Sequence, residues 1–531
     1  MTAVSLVGSR PLLRATLRHD AQRFAPWVLI ATFLSASSVL VYPWVFPDQA
    51  ARQTLSATIG ANPALGLIFG PAHDLSTVDG FNTWRSLVLG GFLLALGAIF
   101  TVTRTTRAQE DSGQAELLAS GVLGRSSRLM SGVVLALIGS VVAGLVAWGV
   151  TVLCGGDVAA SGLLAATFTA SGWIFAGVAA VTAQIGADAR TANSLAVGTL
   201  GVLFLLRGFC SSLDAPSWTL WVNPLGWLQE TRPASGDHAA PLLLALALTV
   251  VLVAVAFVLQ GRRDFGQGFI APRPGPARGT TRGPWRLVVR INRSQLITWT
   301  VAFIGLGVVF GYFSTSVGDL LTGDTGVQSI LAAGAVTQSE LTGAFLRTIL
   351  SLVGIIAAIP GVQIVLKVRS EEVEDRLEPV LAGAISRPRF LQSPVLLAML
   401  ASTGYVLIAG TVIATFASGA DIGVGFTDVL GQAISTVPAV WTVIALSVAV
   451  VGARPVAALA AWAGVLISFV LTLLGPTFGL DDWVLGISPF WHVPALTAAS
   501  PDWSGLGWIT LVTVGLLALG TAGFRRRDLA R

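Results

Sequence analysis

The chain has 531 residues, 54% hydrophobic and 11% Asp, Glu, Lys or Arg, with mean hydropathy +0.77 and formal net charge +5. Soluble domains carry about 25% charged residues, so a string of soluble domains is excluded; so few charges also exclude a disordered polyelectrolyte, and glycines without a G-X-Y period exclude collagen. Two cysteines cannot make a disulfide scaffold, and the composition that remains is that of an all-α polytopic membrane protein.

Taken in chain order, the first element is an amphipathic helix over residues 10–24, with Leu12, Leu13 and Leu17 on one face, expected to lie on the inner membrane surface. The apolar run that follows continues to about Phe46, too long for a signal-peptide core, and reads as a retained anchor. Stretches of about 20 apolar residues, the length that spans a bilayer, then recur along the chain. Twelve are predicted, beginning near Pro26, Trp84, Leu129, Gly162, Asn193, Pro241, Leu296, Leu346, Pro394, Asp428, Val456 and Leu506. Spans three and four are joined by the short turn Gly155-Gly156-Asp157, and nine and ten by Ser418 to Asp421. The longer outer segments 47–83 and 317–345 contain Gly, Pro and acids and suggest small external caps. Segments 211–240 and 476–505 each carry three tryptophans: Trp218, Trp221 and Trp227, then Trp483, Trp491 and Trp503. These read as an aromatic interface belt.

With both termini inside, the cytoplasmic pieces hold 27 of the 32 Lys+Arg and 12 of the 27 acids, a net of +15 inside against −10 elsewhere. This is the positive-inside pattern, and it makes nucleic-acid binding an unnecessary explanation of the basic balance. Arg85, Arg207 and Arg347 fall near outer span ends and are expected to snorkel to the interface. No Asp or Glu falls convincingly mid-span.

The chain also repeats itself. Arg14, Arg18 and Trp27 recur 272 positions later as Arg286, Arg290 and Trp299, and residues 107–129 align without gaps onto 369–391, with six identities in 23 columns. These are Arg107/Arg369, Glu110/Glu372, Glu116/Glu378, Gly121/Gly383, Arg125/Arg387 and Leu129/Leu391. Further on, Asn223-Pro224 matches Ser488-Pro489, and Arg262-Arg263-Asp264 matches Arg526-Arg527-Asp528. The matches keep their order, so the halves are parallel six-span repeats. The predicted organisation is residues 1–265 as the first half, 266–295 as a cytoplasmic Pro/Gly/Arg-rich linker with an interfacial helix, and 296–531 as the second half.

Eight of the twelve cytoplasmic acids crowd into two loops, 107–125 and 369–387, where the anionic lipid surface should disfavour them. Each reads as a short helix with acids at its start, an apolar patch (Leu117-Leu118; Val380-Leu381) and a closing arginine. A solvated loop helix would look much the same; recurrence in both halves favours a docking knob for a cytosolic protein. The pattern Arg-x-x-Glu…Glu-x-Leu-Leu…Arg between the second and third of six spans resembles the coupling-helix loop of type-2 ATP-binding-cassette (ABC) exporter permeases. In detail the chain resembles the fused, double-length actinobacterial permeases for antibiotics or multiple drugs.

That resemblance implies an inserted loop contact with a nucleotide-binding subunit at Glu110, Glu116, Leu117, Leu118 and Arg125, and again at Glu372, Glu378, Val380, Leu381 and Arg387. It implies two copies of a cytosolic ABC ATPase, a hydrophobic small-molecule substrate, and short interfacial or re-entrant helices at the tryptophan-bearing segments. Pro379 stands where the first loop has Leu117, so the two contacts differ. No GxxxxGK[ST] occurs and the sole lysine, Lys367, follows no glycine-rich loop. The chain is therefore expected to be a transport subunit of the cell membrane and not an enzyme, with no cofactor of its own and with ATP and Mg in the partner. The rival reading is a proton-coupled secondary transporter of the major-facilitator type, which expects a short basic loop after span two and an intramembrane carboxylate. His19, His73, His238 and His492 are scattered, so no metal site is expected, and Cys154 and Cys210 are expected as buried free thiols.

Overall fold

A computed structural model describes residues 5–50, 52–53, 56, 69–119, 123–124, 126–212, 216, 218–264, 266–270, 283–315, 338–383, 385–420, 424–474, 481–496 and 501–527. The chain divides into two compact units, Met1–Gly275 and Pro276–Arg531, with the boundary inside the predicted linker.

The first unit contains α1 (Ser9–Asp20), α2 (Ala25–Val45), α3 (Val78–Thr103), α4 (Gln114–Ala119), α5 (Ser127–Leu153), α6 (Val158–Ile185), α7 (Ala189–Ser212), the short α8 (Trp218–Trp221) and α9 (Pro224–Gln229), and α10 (Ala240–Arg262). A π turn, Arg104–Ala108, carries α3 onward to Asp111. The second unit contains α11 (Pro284–Thr315), α12 (Gln338–Val373), the single turn α13 (Glu378–Leu381), α14 (Arg387–Gly419), α15 (Phe426–Ala453), α16 (Ala463–Leu474), α17 (Asp482–Leu485) and α18 (Ser504–Arg526). No strand occurs among the described residues.

Eleven helices among the described residues are long and apolar enough to cross a membrane. The twelfth predicted span differs in kind. Near Val456 the chain forms a 3-10 stretch, Pro455–Trp462, that runs into α16. Pro455 and a non-helical Ala457 break the α-hydrogen-bond ladder there. The greater rise of the 3-10 residues gives the two pieces a combined contour of about 30 Å. The predicted interfacial helix of the second half is continuous with its span in α11, whereas α1 and α2 are separated by a 3-10 turn, Ala21–Phe24. On α1, Leu12, Leu13 and Leu17 are half-buried while Arg10, Arg14 and Arg18 are exposed, as the predicted amphipathic face requires.

Local chemistry sets the helix starts. Thr77 caps α3 by accepting from Gly80 N at 3.1 Å. Just before it, Asp74 accepts from Ser76 N (2.9 Å), Ser76 Oγ (2.6 Å) and Thr77 Oγ1 (2.8 Å). Burial pushes the Asp74 carboxyl up, but these donors outweigh it and hold the group below its ordinary value. Gly155, at φ +103°, makes the turn into α6, and Asp157 then caps that helix through Ala159 N and Ala160 N, both at 2.9 Å. The repeated Asn-Pro and Ser-Pro pairs are also caps. Asn223 Oδ1 accepts from Leu225 N at 3.0 Å and Ser488 Oγ from Phe490 N at 3.3 Å, each with proline in the first turn.

In each unit two helices are central. Of the most apolar stretches, 72% is buried in α3 and α6 of the first unit and in α12 and α15 of the second, against 17–44% in the other spans. Small residues allow the close crossings. A Cβ on Gly90 would overlap the Phe168 ring, and one on Gly452 would overlap the Gly520 backbone. Of the expected external caps, residues 316–337 lie outside the described residues. The described part of the first is tied down by Tyr42 Oη donating to Leu75 O (2.6 Å) and Trp84 Nε1 to Gly70 O (3.1 Å).

Candidate functional site at the anchored acidic loops

At one end of the first unit, α3, α6 and α10 finish and α5 and α7 begin. Here Glu110 is enclosed, its side chain only 4% exposed, among three guanidinium groups. Arg263 donates to both carboxylate oxygens (2.9 and 3.1 Å), Arg107 to Oε2 (2.9 Å) and Arg128 to Oε1 (2.9 Å). Arg107 also caps the end of α6 through the carbonyls of Ala183, Gln184 and Ala187, and reaches Gln267 O at 2.9 Å. Ala183 and Gln184 lie in the last turn of α6, whose carbonyls have no intrahelical donor. Gln184 Oε1 accepts from Arg263 Nε at 2.7 Å, and Asp111 Oδ2 accepts from Ala189 N at 2.8 Å, the start of α7. The loop is thereby fastened to α5, α6, α7 and α10.

The second unit repeats the arrangement. Glu372, with a side chain 1% exposed, pairs with Arg527, whose Nη1 and Nη2 each meet one carboxylate oxygen, and lies 3.2 Å from Arg369 Nη1. Both Glu–Arg pairs are bidentate, the geometry in which such contacts are strongest. Three columns of the repeat, Arg107/Arg369, Glu110/Glu372 and Arg263/Arg527, are the members of one cluster seen twice. Their position at helix ends explains why the matches fell outside the apolar runs.

After each glutamate the backbone makes the same left-handed step, at Gly113 (φ +74°) and at Asp375 (φ +55°), 262 positions apart. Beyond it the short helices project. Glu116 is exposed, and Leu117 is 78% exposed. Arg125 lies outside the described residues, as does the side chain of Leu118. In the second loop Glu378 and Pro379 are exposed, while Val380 and Leu381 are half-buried against the core. Arg387 donates to Arg527 O at 2.7 Å, closing the loop onto the end of α18. The predicted loop residues thus separate into two groups. Glu110, Glu372 and Arg387 face inward and hold the loop, which differs from direct docking because an enclosed carboxylate has no surface to offer. Glu116, Leu117, Glu378 and Pro379 face outward.

A family model described as the multidrug efflux system permease Rv1217c, C-terminal domain, matches residues 50–259 and 282–525. The chain is also 36% identical over 533 residues to the multidrug efflux system permease protein Rv1217c of Mycobacterium tuberculosis, covering 98% of this chain and 95% of that one. The chain belongs to the Rv1217c family of multidrug efflux permeases. With eleven membrane-crossing helices among its described residues, this permease is a multi-pass membrane protein.

The repeat marks the glutamates but not every member of their clusters. Arg128, Gln184 and Gln267 had no counterpart in the repeat; Arg263 and Arg527 were visible as matching triplets without an assigned role. At the other end of each unit the tryptophan-bearing segment folds as short helices, α8 and α9 in the first unit, α17 and a 3-10 turn (Pro489–His492) in the second. Trp218, Trp221, Trp483, Trp491 and Trp503 are exposed there, and Trp227 is half-buried, donating to Trp221 O at 2.6 Å. Arg207 departs from the snorkelling expectation. It is 1% exposed, donates to Gln229 Oε1 at 2.8 Å and lies over the Phe204 ring, so α9 supplies the polar partner that interface water was expected to supply. Arg85 donates to Ser38 Oγ and Arg347 to Trp491 O, each at 3.2 Å. Cys154 and Cys210 are free thiols, half-buried rather than buried.

Proposed function

We propose that this permease is the transmembrane subunit of an ABC exporter that moves amphiphilic drugs or antibiotics outward across the cell membrane, with ATP and Mg bound by two copies of a separate cytosolic ATPase. The observation that carries this reading is the pair of acidic loops, each anchored from beneath by a buried bidentate glutamate and each presenting a short helix outward. Such a loop transmits force. Arg107 and Arg263 tie Glu110 to the ends of α6 and α10, so a push on the loop is delivered to α3 and α6, the most buried helices of that unit. Exposed Leu117 supplies the apolar tip, worth about 2 kcal/mol when fully buried in a partner's cleft. A proton-coupled transporter of the major-facilitator type fits less well. Glu110 and Glu372, the enclosed glutamates, sit at helix ends locked to arginines and not in mid-span.

The test is co-purification with the ATPase of the same transport system. Reversing and polarising the outward groups (Glu116→Arg with Leu117→Asp, and Glu378→Arg) is expected to weaken the complex about tenfold or more, close to 1.4 kcal/mol, while leaving thermal unfolding of the permease unchanged. A complex retained in full, with ATPase stimulation intact, would overturn the reading.

A further inference from the structure

Beneath the second acidic loop lies a cavity of about 370 Å³, within the roughly 300–1,000 Å³ span of small-molecule sites. Leu287, Val288 and Ile291 of α11 and Ile364, Val368 and Phe390 of α12 and α14 make its apolar body. Its polar wall holds Lys367, the only lysine in the chain, with Glu371 and Arg376. Lys367 Nζ lies 3.3 Å from Ile291 O and 3.4 Å from Asn292 Oδ1. Glu371 and Glu374 both pair with Arg376, so Lys367 is the cation that the cavity wall presents. The opposite face of the same stretch of α11 exposes Arg286, Arg290 and Arg293, and α11 contains no acid along its length.

An apolar slot with a cation in its wall complements an anionic amphiphile, and its place at the end of the spans is headgroup depth. We infer that this cavity binds one anionic phospholipid, its phosphate toward Lys367 and the first methylenes of a chain against Val288, Ile364 and Phe390. Leu377, Pro379 and Val380 of the second loop also line it, so an occupying lipid braces that loop from below. The residues that build the site are not repeated in the first half. At the positions 262 residues earlier, Thr105 replaces Lys367, Arg128 replaces Phe390 and Gly132 replaces Pro394, and a Cβ on Gly132 would overlap Thr105. There α3 and α5 close onto each other. The binding itself stands independently of the coupling reading; only the consequence of bracing the loop rests on it.

The test takes the purified full chain in detergent, without ATPase, and offers it an equimolar mixture of dioleoyl phosphatidylglycerol and dioleoyl phosphatidylcholine under native mass spectrometry. One phosphatidylglycerol is expected to be retained with a preference of about fivefold for each cationic contact made. Lys367→Met is expected to lower the preference about fivefold. Leu287→Trp, which fills the slot from its half-buried edge, is expected to remove the bound lipid, whereas Arg14→Gln with Arg18→Gln on α1 leaves it in place. Should Leu287→Trp fail to fold, Lys367→Met carries the test alone. Undiminished preference in Lys367→Met, retention of lipid by folded Leu287→Trp, no preference in the parent chain, or displacement of the lipid by millimolar inorganic phosphate would overturn the proposal. Because no ATPase is present, failure here leaves the coupling reading untouched, and failure of co-purification leaves the lipid site untouched.

Discussion

In the first unit Glu110 is held by three arginines, and Arg107 is fully buried, spending its remaining donors on the carbonyls at the end of α6. In the second, Glu372 meets Arg527 and Arg369, and where the third arginine would stand the chain has Phe390. The approach to the two sites differs as well. A π turn at Arg104–Ala108 ends α3, while the equivalent stretch of α12 stays α-helical. The remaining acids follow the same trend. Asp111 caps α7 in the first loop, whereas Glu371 and Glu374 of the second pair with the exposed Arg376, a contact of the kind that contributes little. One motif, duplicated, has produced a tightly fastened loop and a looser one resting on an open cavity. The lesson is that the anchor glutamate and its sixth-span arginine are the common device, and the surrounding residues decide how stiffly each loop is held.

Removing the anchors should expose this difference most strongly. Glu110→Gln strands three enclosed guanidinium groups and is expected to cost about 3–5 kcal/mol, seen as a large drop in thermal unfolding temperature of the purified permease. Glu372→Gln strands two partly accessible ones and is expected to cost about 2 kcal/mol. Equal shifts in the two variants would break the comparison.

A smaller effect is expected at Gly124, whose position lets the backbone of residues 5–7 pack beneath the first loop. Gly124 N donates to Val7 O (2.8 Å), Ser126 N to Ser5 O (3.3 Å) and Ser127 Oγ to Val7 O (2.8 Å). A Cβ there would overlap Ser5 O. The repeat counterpart is Ser386, which is exposed. Gly124→Ser, which copies the second half into the first, should detach the N-terminal segment at a cost of about 1–3 kcal/mol and raise hydrogen exchange at Gly124 and Ser126. Unchanged exchange at both amides would show that the segment does not depend on this contact.

The smallest effects are expected at the left-handed step. Gly113→Ala should destabilise by about 1 kcal/mol, because an alanine at φ +74° meets its own carbonyl, and Asp375→Gly should stabilise by a similar or lesser amount. Opposite signs in thermal unfolding would sharpen the view that both loops share one backbone path. The same sign for both would refute it.

Much of this was legible in the chain itself. The spans at Trp84, Gly162 and Pro241 announced themselves because a bilayer demands long apolar runs, and the loops stood out because charge is scarce. The role of Glu110 was not legible. A carboxylate in a polar loop reads as exposed, and its enclosure depends on Arg128 and Arg263, 18 and 153 residues away. The burial of Arg207 is illegible for the same reason, since its partner Gln229 is delivered by α9 across a turn that no periodicity reveals. The segment after Pro455 has the hydropathy of a plain span, because hydropathy is blind to whether a helix is wound as 3-10 or α.

Composition and order along the chain determined the all-α membrane class, the duplication and the two acidic loops, because hydrophobic length and charge placement are local properties that each residue carries with it. Tertiary structure alone decided which acids hold the loops and which face outward. It decided too that a cavity opens under the second loop, where Lys367, Pro394 and Phe390 meet the α11 face, while Thr105 and Gly132 touch at the equivalent positions of the first. Burial and ion pairing belong to residues brought together from distant parts of the chain, and their geometry exists only once the helices have packed.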